Sequence, residues 1–389
     1  MKAGILLPFM LAWSLALPAS APLHAQTGAR TAASVAQADN GNWEMPGKNH
    51  ASTRFSAMRE ITPANVRGLR TAFTFSTGVN KGHEAPPLVV GGTMYVLTPF
   101  PNNLYALDLT KPGAPVKWVY KPRPVRAAQG VACCDVVNRG PAYAGGRLFY
   151  NTLDGRTLAV DARSGKLLWE RQLGNIQMGE TMTMAPIVAD GKVIVGNSGG
   201  EMGVRGWIAA LDAGSGRVGW KAFNTGPDKD VLIGPRFRPF YDMDRGKDLG
   251  VKTWPPGAWK IGGGNVWGWI SYDPQLKLIY YGTGNPGPWN PEQRPGDNKW
   301  TTGVFARDVS SGQAVWFYQS SPHDLYDHDD VNEIMLIDMP VNGRRRPVLV
   351  RPGATAMSTC RTAARDRCSR RRRSASSIRR RVSTSRPAG

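Results

Sequence analysis

At 389 residues the chain is long enough for a large core, and its 45 Gly, 30 Pro and 13 Trp weigh against a mainly helical protein. A formal net charge of +20 would suit a nucleic-acid partner, but 12 arginines against one acid, Asp366, are concentrated between Arg351 and Gly389. The rest is only mildly basic, and no aromatic residue is interleaved with those arginines, which argues against nucleic acid.

In chain order, residues 1–25 read as a signal peptide. Lys2 supplies the positive start, a leucine-rich run follows, and Leu23-His24-Ala25 ends in a small residue for cleavage. Pro8 and Pro18 interrupt the run, which falls short of the ~20 clean apolar residues of a membrane anchor. No later segment is apolar for long enough to span a bilayer. The expectation is export to the periplasm, where disulfides persist.

Residues 26–352 repeat. LAVDARSGKLLW ends at Trp169, AALDAGSGRVGW at Trp220 and FARDVSSGQAVW at Trp316; YALDLTKPGAPVKW, ending at Trp118, is a looser copy. Each close copy has an apolar strand, an Asp (Asp161, Asp212, Asp308), a Gly-centred turn, and a Trp eight residues after the Asp. Trp118, Trp169 and Trp220 lie 51 residues apart, and Trp316 follows after about two such periods. Between Trp220 and Trp316, YDPQLKLIYYGTG reads as a further strand pair without the Trp. Such self-similarity, with short Val, Ile, Tyr and Leu runs between turns, predicts blades of antiparallel strands. Stacked radially they make an all-β propeller, with four or five blades before Arg351.

Two stretches stand out chemically. GVACCDVVNRG holds adjacent cysteines, Cys133 and Cys134, which by themselves are open to three readings: free thiols, a bond to each other, or bridges to Cys360 and Cys368. SPHDLYDHDD is rich in acids, which alone reads as a solvated loop.

Taken together, GHEAPPLVV, ACCDVVNRG, GETMTMAPIV, GNSGGEMGVRGW, KIGGGNVWGWI, YGTGNPGPWN, RPGDNKWT and SPHDLYDHDDVNE resemble, in order, the pyrroloquinoline quinone (PQQ) dependent alcohol dehydrogenases, above all the methanol dehydrogenase large subunit. The resemblance covers roughly Asn42 to Val350. It implies an eight-bladed propeller with the quinone on its axis, of which this chain holds only part. It implies that a Cys133–Cys134 ring, which ties no distant loops together, serves as a flat wall on one face of the quinone, with Trp267 on the other. PQQ is a planar tricarboxylate and wants Arg, hydroxyl and N–H partners. By motif position these are Glu84, Arg139, Thr183 and Ser198, with the backbones of Gly199 and Gly200. Glu201 and Asn285 match metal ligands, and hard cations prefer such oxygens. Asp327 matches the catalytic base and a further ligand.

The activity so implied is oxidation of a short primary alcohol, methanol or ethanol, to the aldehyde. Hydride passes to PQQ, the metal acts as Lewis acid, and electrons leave to a cytochrome c. A homodimer fits the resemblance. Asp329, two residues past Asp327, matches an acid that lanthanide-using members carry and calcium-using members lack, so a lanthanide is expected, with calcium the alternative; His328 replaces the aromatic residue usual between the two acids.

The tail from 353 to 389 departs from this pattern. It lacks hydrophobic periodicity and reads as disordered. Codons can be chosen for Gly353–Arg370 that, read one base earlier, spell GRNGYVYVPDRGTGQVLS, a further copy of the repeat turn. Residues after about Pro352 are therefore read as out of frame, with the loss of about three blades and of an arginine beside the base. This leaves two alternatives to an enzyme: an inactive remnant, or a cofactor-free propeller used as a binding or assembly scaffold.

Overall fold

The computed structural model describes residues 39–353 apart from Asn342, and the backbone of 357–362 and 372–373. The signal-peptide reading and most of the tail lie outside the described residues.

Among the described residues, twenty strands form five four-stranded antiparallel sheets, each made of consecutive strands. Blade one is β1 (Leu88–Val90), β2 (Thr93–Leu97), β3 (Leu104–Asp108) and β4 (Val116–Tyr120). Blade two is β5 (Ala142–Ala144), β6 (Arg147–Asn151), β7 (Arg156–Asp161) and β8 (Leu167–Gln172). Blade three is β9 (Ile187–Ala189), β10 (Lys192–Gly196), β11 (Trp207–Asp212) and β12 (Val218–Phe223). Blade four is β13 (Ile270–Asp273), β14 (Leu278–Thr283), β15 (Gly303–Asp308) and β16 (Ala314–Gln319). Blade five is β17 (Met335–Val341), β18 (Arg344–Pro352), β19 (Met357–Thr362) and β20 (Arg372–Arg373).

The meander follows from local chemistry. Between β5 and β6 only Gly145 and Gly146 intervene, both at positive φ (54° and 77°), the two-residue turn whose twist suits a hairpin. At the β7–β8 turn the Asp161 carboxylate accepts from the backbone N–H and the hydroxyl of Ser164. Asp212 with Ser215 and Asp308 with Ser311 repeat this in blades three and four. Each of the first four blades shifts register once between its third and fourth strands, next to the Ala that faces the repeat Trp.

The blades are stapled by those tryptophans. The Nε1–H of Trp118 donates to Ala162 O (3.2 Å), that of Trp169 to Ala213 O (3.1 Å) and that of Trp220 to Val309 O (3.0 Å), each acceptor lying in the next blade. Cores form between neighbours: Leu97, Leu104 and Ala106 of blade one pack with Leu148, Tyr150 and Leu158 of blade two. First strands of adjacent blades approach one another, β5 with β9, β9 with β13 and β13 with β17, so the first strands line the inside of a radial array.

The long interval before Trp316 is not an extra blade. YDPQLKLIYYGTG forms β13 and β14 of the blade that carries Trp316. The added length is an excursion over residues 224–269 with two short helices, α1 (Asp228–Val231) and α2 (Leu249–Lys252). Arg205 anchors it, with its guanidinium 3.9 Å from the Phe223 ring, 4.7 Å from the Trp259 ring and ion-paired to Asp230.

Candidate active site

In an antiparallel meander, the start of the first strand and the end of the second lie at the same edge of the sheet. Glu84, Arg139, Thr183, Trp267 and Asp327–Asp329 precede β1, β5, β9, β13 and β17, while Ser198–Glu201 and Asn285 follow β10 and β14. All these residues therefore collect at one end of the array, opposite the Trp-stapled turns.

One arm is cationic and hydroxylic. Arg139 Nη2 pairs with Glu84 at 3.0 Å, and Nη1 donates to Thr183 Oγ1 at 3.0 Å. Thr183 Oγ1 lies 2.8 Å from Ser198 Oγ. The guanidinium also sits 4.8 Å from the Trp267 ring. Burial pulls the Arg139 pKa down and Glu84 opposes this. Cys133 and Cys134 are bonded to each other, S–S 2.07 Å, and exposed. Their loop is joined to the Glu84 segment where Gly82 N–H donates to Asp135 Oδ2, at 3.3 Å.

The second arm is acidic. Asp329 accepts the Asn285 N–H. Its carboxyl pKa is pushed well up by burial, then by Asp327; the Asn285 N–H opposes, and Glu201 and Asp324 add like charge. Asp327 is also pushed up, by burial and then Asp324, against His328. Both Asp327 (φ 57°) and Asp329 (φ 41°) sit in the left-handed region, which costs a non-glycine residue on the order of 1–2 kcal/mol and is held by the surroundings. The surroundings are close: Asp330 N–H donates to Thr283 O at 3.1 Å, and Asp330 forms a buried ion pair with Arg351. Asp324 accepts from the backbone N–H of Tyr326 and of His328.

The arms meet at Gly284. A Cβ there would stand 2.8 Å from Asp329 Oδ1, 3.3 Å from Asn265 O and 3.4 Å from Trp267 Nε1. Gly200 is similarly bare, with an ideal Cβ 2.7 Å from Asn265 Oδ1, and Gly199 (φ 109°) has no room beside Gly179 O. Among the described residues no three Asp, Glu, His or Cys side chains close into a metal cluster. The donor set instead mixes carboxylates with the Asn285 amide, and the buried, mutually repelling Asp329 fits a hard cation beside it. The Arg139–Thr183–Ser198 chain fits a planar polycarboxylate.

Sequence reasoning missed Asn265, which is 3% exposed and whose Oδ1 and Nδ2 both lack a hydrogen-bond partner. A buried amide with neither group satisfied is rare, and it points at a ligand. Its signal was the polar residue inside GGGNVWGW. Sequence reasoning also missed the Asp330–Arg351 pair, which no local spacing announces.

Residues 43–358 match the PQQ family described as glucose/ethanol/alcohol dehydrogenase, beta-propeller domain. The chain belongs to the PQQ-dependent alcohol dehydrogenase family. A lanthanide-dependent methanol dehydrogenase of Methylacidiphilum fumariolicum (strain SolV) is 51% identical over 311 residues, which are 80% of this chain and 51% of its own. Methanol dehydrogenase [cytochrome c] subunit 1 of Methylorubrum extorquens (strain AM1) is 46% identical over 352 residues, 87% of this chain and 55% of its own. A solved europium-containing methanol dehydrogenase aligns with TM-score 0.83 at 47% identity, covering 85% of this chain and 58% of that one. The chain thus spans about half the length of the family members it matches. No helix among the described residues is long and apolar enough to cross a membrane.

Proposed function

We propose that this chain carries the active end of a periplasmic quinoprotein that oxidises a short primary alcohol, methanol or ethanol, to the aldehyde and passes electrons to a cytochrome c. The convergence of the Trp267 indole N–H, the Asn265 backbone carbonyl and the Asp329 carboxylate on Gly284, with the unsatisfied Asn265 amide against Gly200, carries the reading, because it brings an aromatic residue, an open amide and an acid into one place. The names of the relatives support the alcohol, the acceptor and the metal class.

Arg139, Thr183 and Ser198 would hold the carboxylates of PQQ, with Glu84 fixing the guanidinium and the backbones of Gly199 and Gly200 close by. Glu201, Asn285, Asp327 and Asp329 would hold the cation. Bound there, PQQ supplies a hydride acceptor and the metal a Lewis acid. Asp327 takes the hydroxyl proton of the alcohol on its carboxylate, with His328 and Asp324 setting its charge environment. The disulfide ring excludes water from one face, and Trp267 orients the other. Three carboxylates, Glu201, Asp327 and Asp329, suit a trivalent ion better than calcium, which would leave excess buried negative charge.

The tail beyond about Pro352 remains proposed as out of frame. Among the described residues the buried Trp316 Nε1 has no acceptor, and no glycine stands between Gly353 and Gly389 to receive its ring. The same observation favours a second reading, a non-catalytic remnant. Reconstitution with PQQ, a light lanthanide, methanol and an artificial acceptor separates the two, tested on the chain as it stands and with the frame restored after Pro352. Dye reduction by the restored chain supports the enzyme. Its absence there, with PQQ bound, overturns it.

A further inference from the structure

The stretch RPGDNKWT, residues 294–301, carries no residue assigned to quinone, metal or alcohol. It lies in the connection between β14 and β15 that also carries Asn285. Arg294 is 2% exposed, and a guanidinium so buried must donate to protein groups. Its Nε donates to Pro288 O (2.6 Å), Nη1 to Asn298 Oδ1 (2.8 Å), and Nη2 to Trp289 O (3.2 Å) and Asp324 O (2.5 Å). The first three bonds close the connection on itself. The fourth crosses to the connection between β16 and β17, which carries the acidic turn. His323 strengthens the crossing: its N–H donates to Asp297 O at 3.3 Å, and its Nδ1 lies 2.9 Å from Gly296 O.

Asp324 carries the constraint onward. Its carboxylate is fully buried. Oδ1 accepts from Tyr326 N (3.1 Å) and lies 2.9 Å from His328 Nδ1, and Oδ2 accepts from His328 N (2.7 Å). Those two backbone N–H groups flank Asp327, so one carboxylate fixes the chain on both sides of it. The turn needs such a hold, because His323, Asp327 and Asp329 all sit at positive φ (48°, 57° and 41°). Of its four acids, Asp324 is taken up by these bonds and Asp330 by Ser320 and Arg351. Asp327 and Asp329 are left for a ligand.

We propose that Arg294 and Asp324 are positioning residues. Through the Arg294 bond to Asp324 O, and through the Asp324 carboxylate on residues 326 and 328, they hold Asp327 and Asp329 in register with Asn285 for the cation. Neither touches the ion; each acts through the backbone that presents its ligands. The proposal rests on the metal reading of the site.

The test titrates the purified chain with europium(III) alone, whose luminescence lifetime in water against heavy water counts the waters on the ion. Binding at the site is the part lost in Asp329→Ala. Arg294→Met and Asp324→Ala should weaken that binding by about tenfold or more, the scale for a group that orients a metal ligand. Each should also add about one water, where a carboxylate has swung away. Asp324→Asn keeps one acceptor and should lie between Asp324→Ala and the unaltered chain. Trp169→Phe, altered at the opposite end of the array, should match the unaltered chain in both readings. Unchanged affinity and water count in folded Arg294→Met, or in Asp324→Ala, would overturn the proposal. So would an equal loss in Asp324→Ala and Asp324→Asn, the mark of a merely structural role. If Arg294→Met fails to fold, the two Asp324 variants decide by the same criteria. No europium bound at the site in the unaltered chain would overturn the metal reading, and this proposal with it.

Discussion

Trp169 donates its indole N–H to Ala213 O at 3.1 Å, and its ring lies where a Cβ on Gly216 would be 2.6 Å away. Gly216 also has a φ of 70°. One residue thus meets two demands, a left-handed turn and the flat approach of a ring from the neighbouring blade. Trp118 on Gly165 and Trp220 on Gly312 repeat the relationship. Gly216→Val should destabilise the chain by about 3 kcal/mol, combining left-handed strain with overpacking. Trp169→Phe, which keeps the ring and loses the bond, should cost about 1 kcal/mol. Urea unfolding midpoints of the two variants check both the order and the size.

Asp39 ties down the entry to the first blade. It accepts from Lys48 Nζ (2.8 Å), Ser56 Oγ, Ala57 N (2.8 Å) and Gly41 N (3.0 Å). These bonds, Lys48 foremost, hold its carboxyl far below the usual range. A depressed folded value means that the stabilisation is complete above the unfolded pKa of about 4 and is lost as the pH falls toward the folded value. Asp39→Asn should therefore lower the urea midpoint by a constant amount from pH 7 to pH 5, and by less at pH 3. A gap between wild type and variant that is the same at pH 3 and pH 6 would show that Asp39 carries no linked charge.

The blades were legible because their signal is local. An Asp, a Gly-centred turn and a Trp at fixed spacing specify one hairpin and its dock, and five sheets stand where four or five were expected. What the spacing left open was how the stretch between Trp220 and Trp316 divides, because distance along the chain cannot tell a blade from an excursion such as 224–269. The site was legible only by motif. Nothing in the spacing of Arg139, Thr183 and Ser198 predicts that they bond in series, since they belong to three separate strand ends. Asn265 stayed hidden for the opposite reason. A polar residue among glycines looks like turn chemistry until its amide is seen buried and unpartnered.

The disulfide ring can be separated from the fold. It closes no loop beyond its own two residues, so its loss should leave the unfolded chain almost as free as before. Cys133→Ser with Cys134→Ser should keep the urea midpoint within the error of the measurement. If the ring forms one wall of the quinone site, PQQ affinity should fall about tenfold, the size of a lost stacking contact. Fluorescence quenching titration with PQQ reads this; unchanged affinity would remove the ring from the site.

Asp329 should decide the metal. Its carboxyl is crowded by Asp327 and Glu201, so the ion that relieves most charge is favoured. Metal titrations followed by intrinsic fluorescence should show a light lanthanide bound at least about 100-fold more tightly than calcium, a difference of about 2.8 kcal/mol. Asp329→Ala should bring the two close together. Equal affinities in the unaltered chain would return the assignment to calcium.

The central claim is that Asp327 accepts the alcohol proton. The direct measurement is methanol-dependent dye reduction by the protein with the frame restored after Pro352, loaded with PQQ and a light lanthanide, against its Asp327→Asn form with cofactor occupancy read by quinone absorbance. The account predicts turnover in the first and a loss of at least about 100-fold in the second, the usual scale for a positioned base, with PQQ still bound. Near-normal turnover by Asp327→Asn would contradict it.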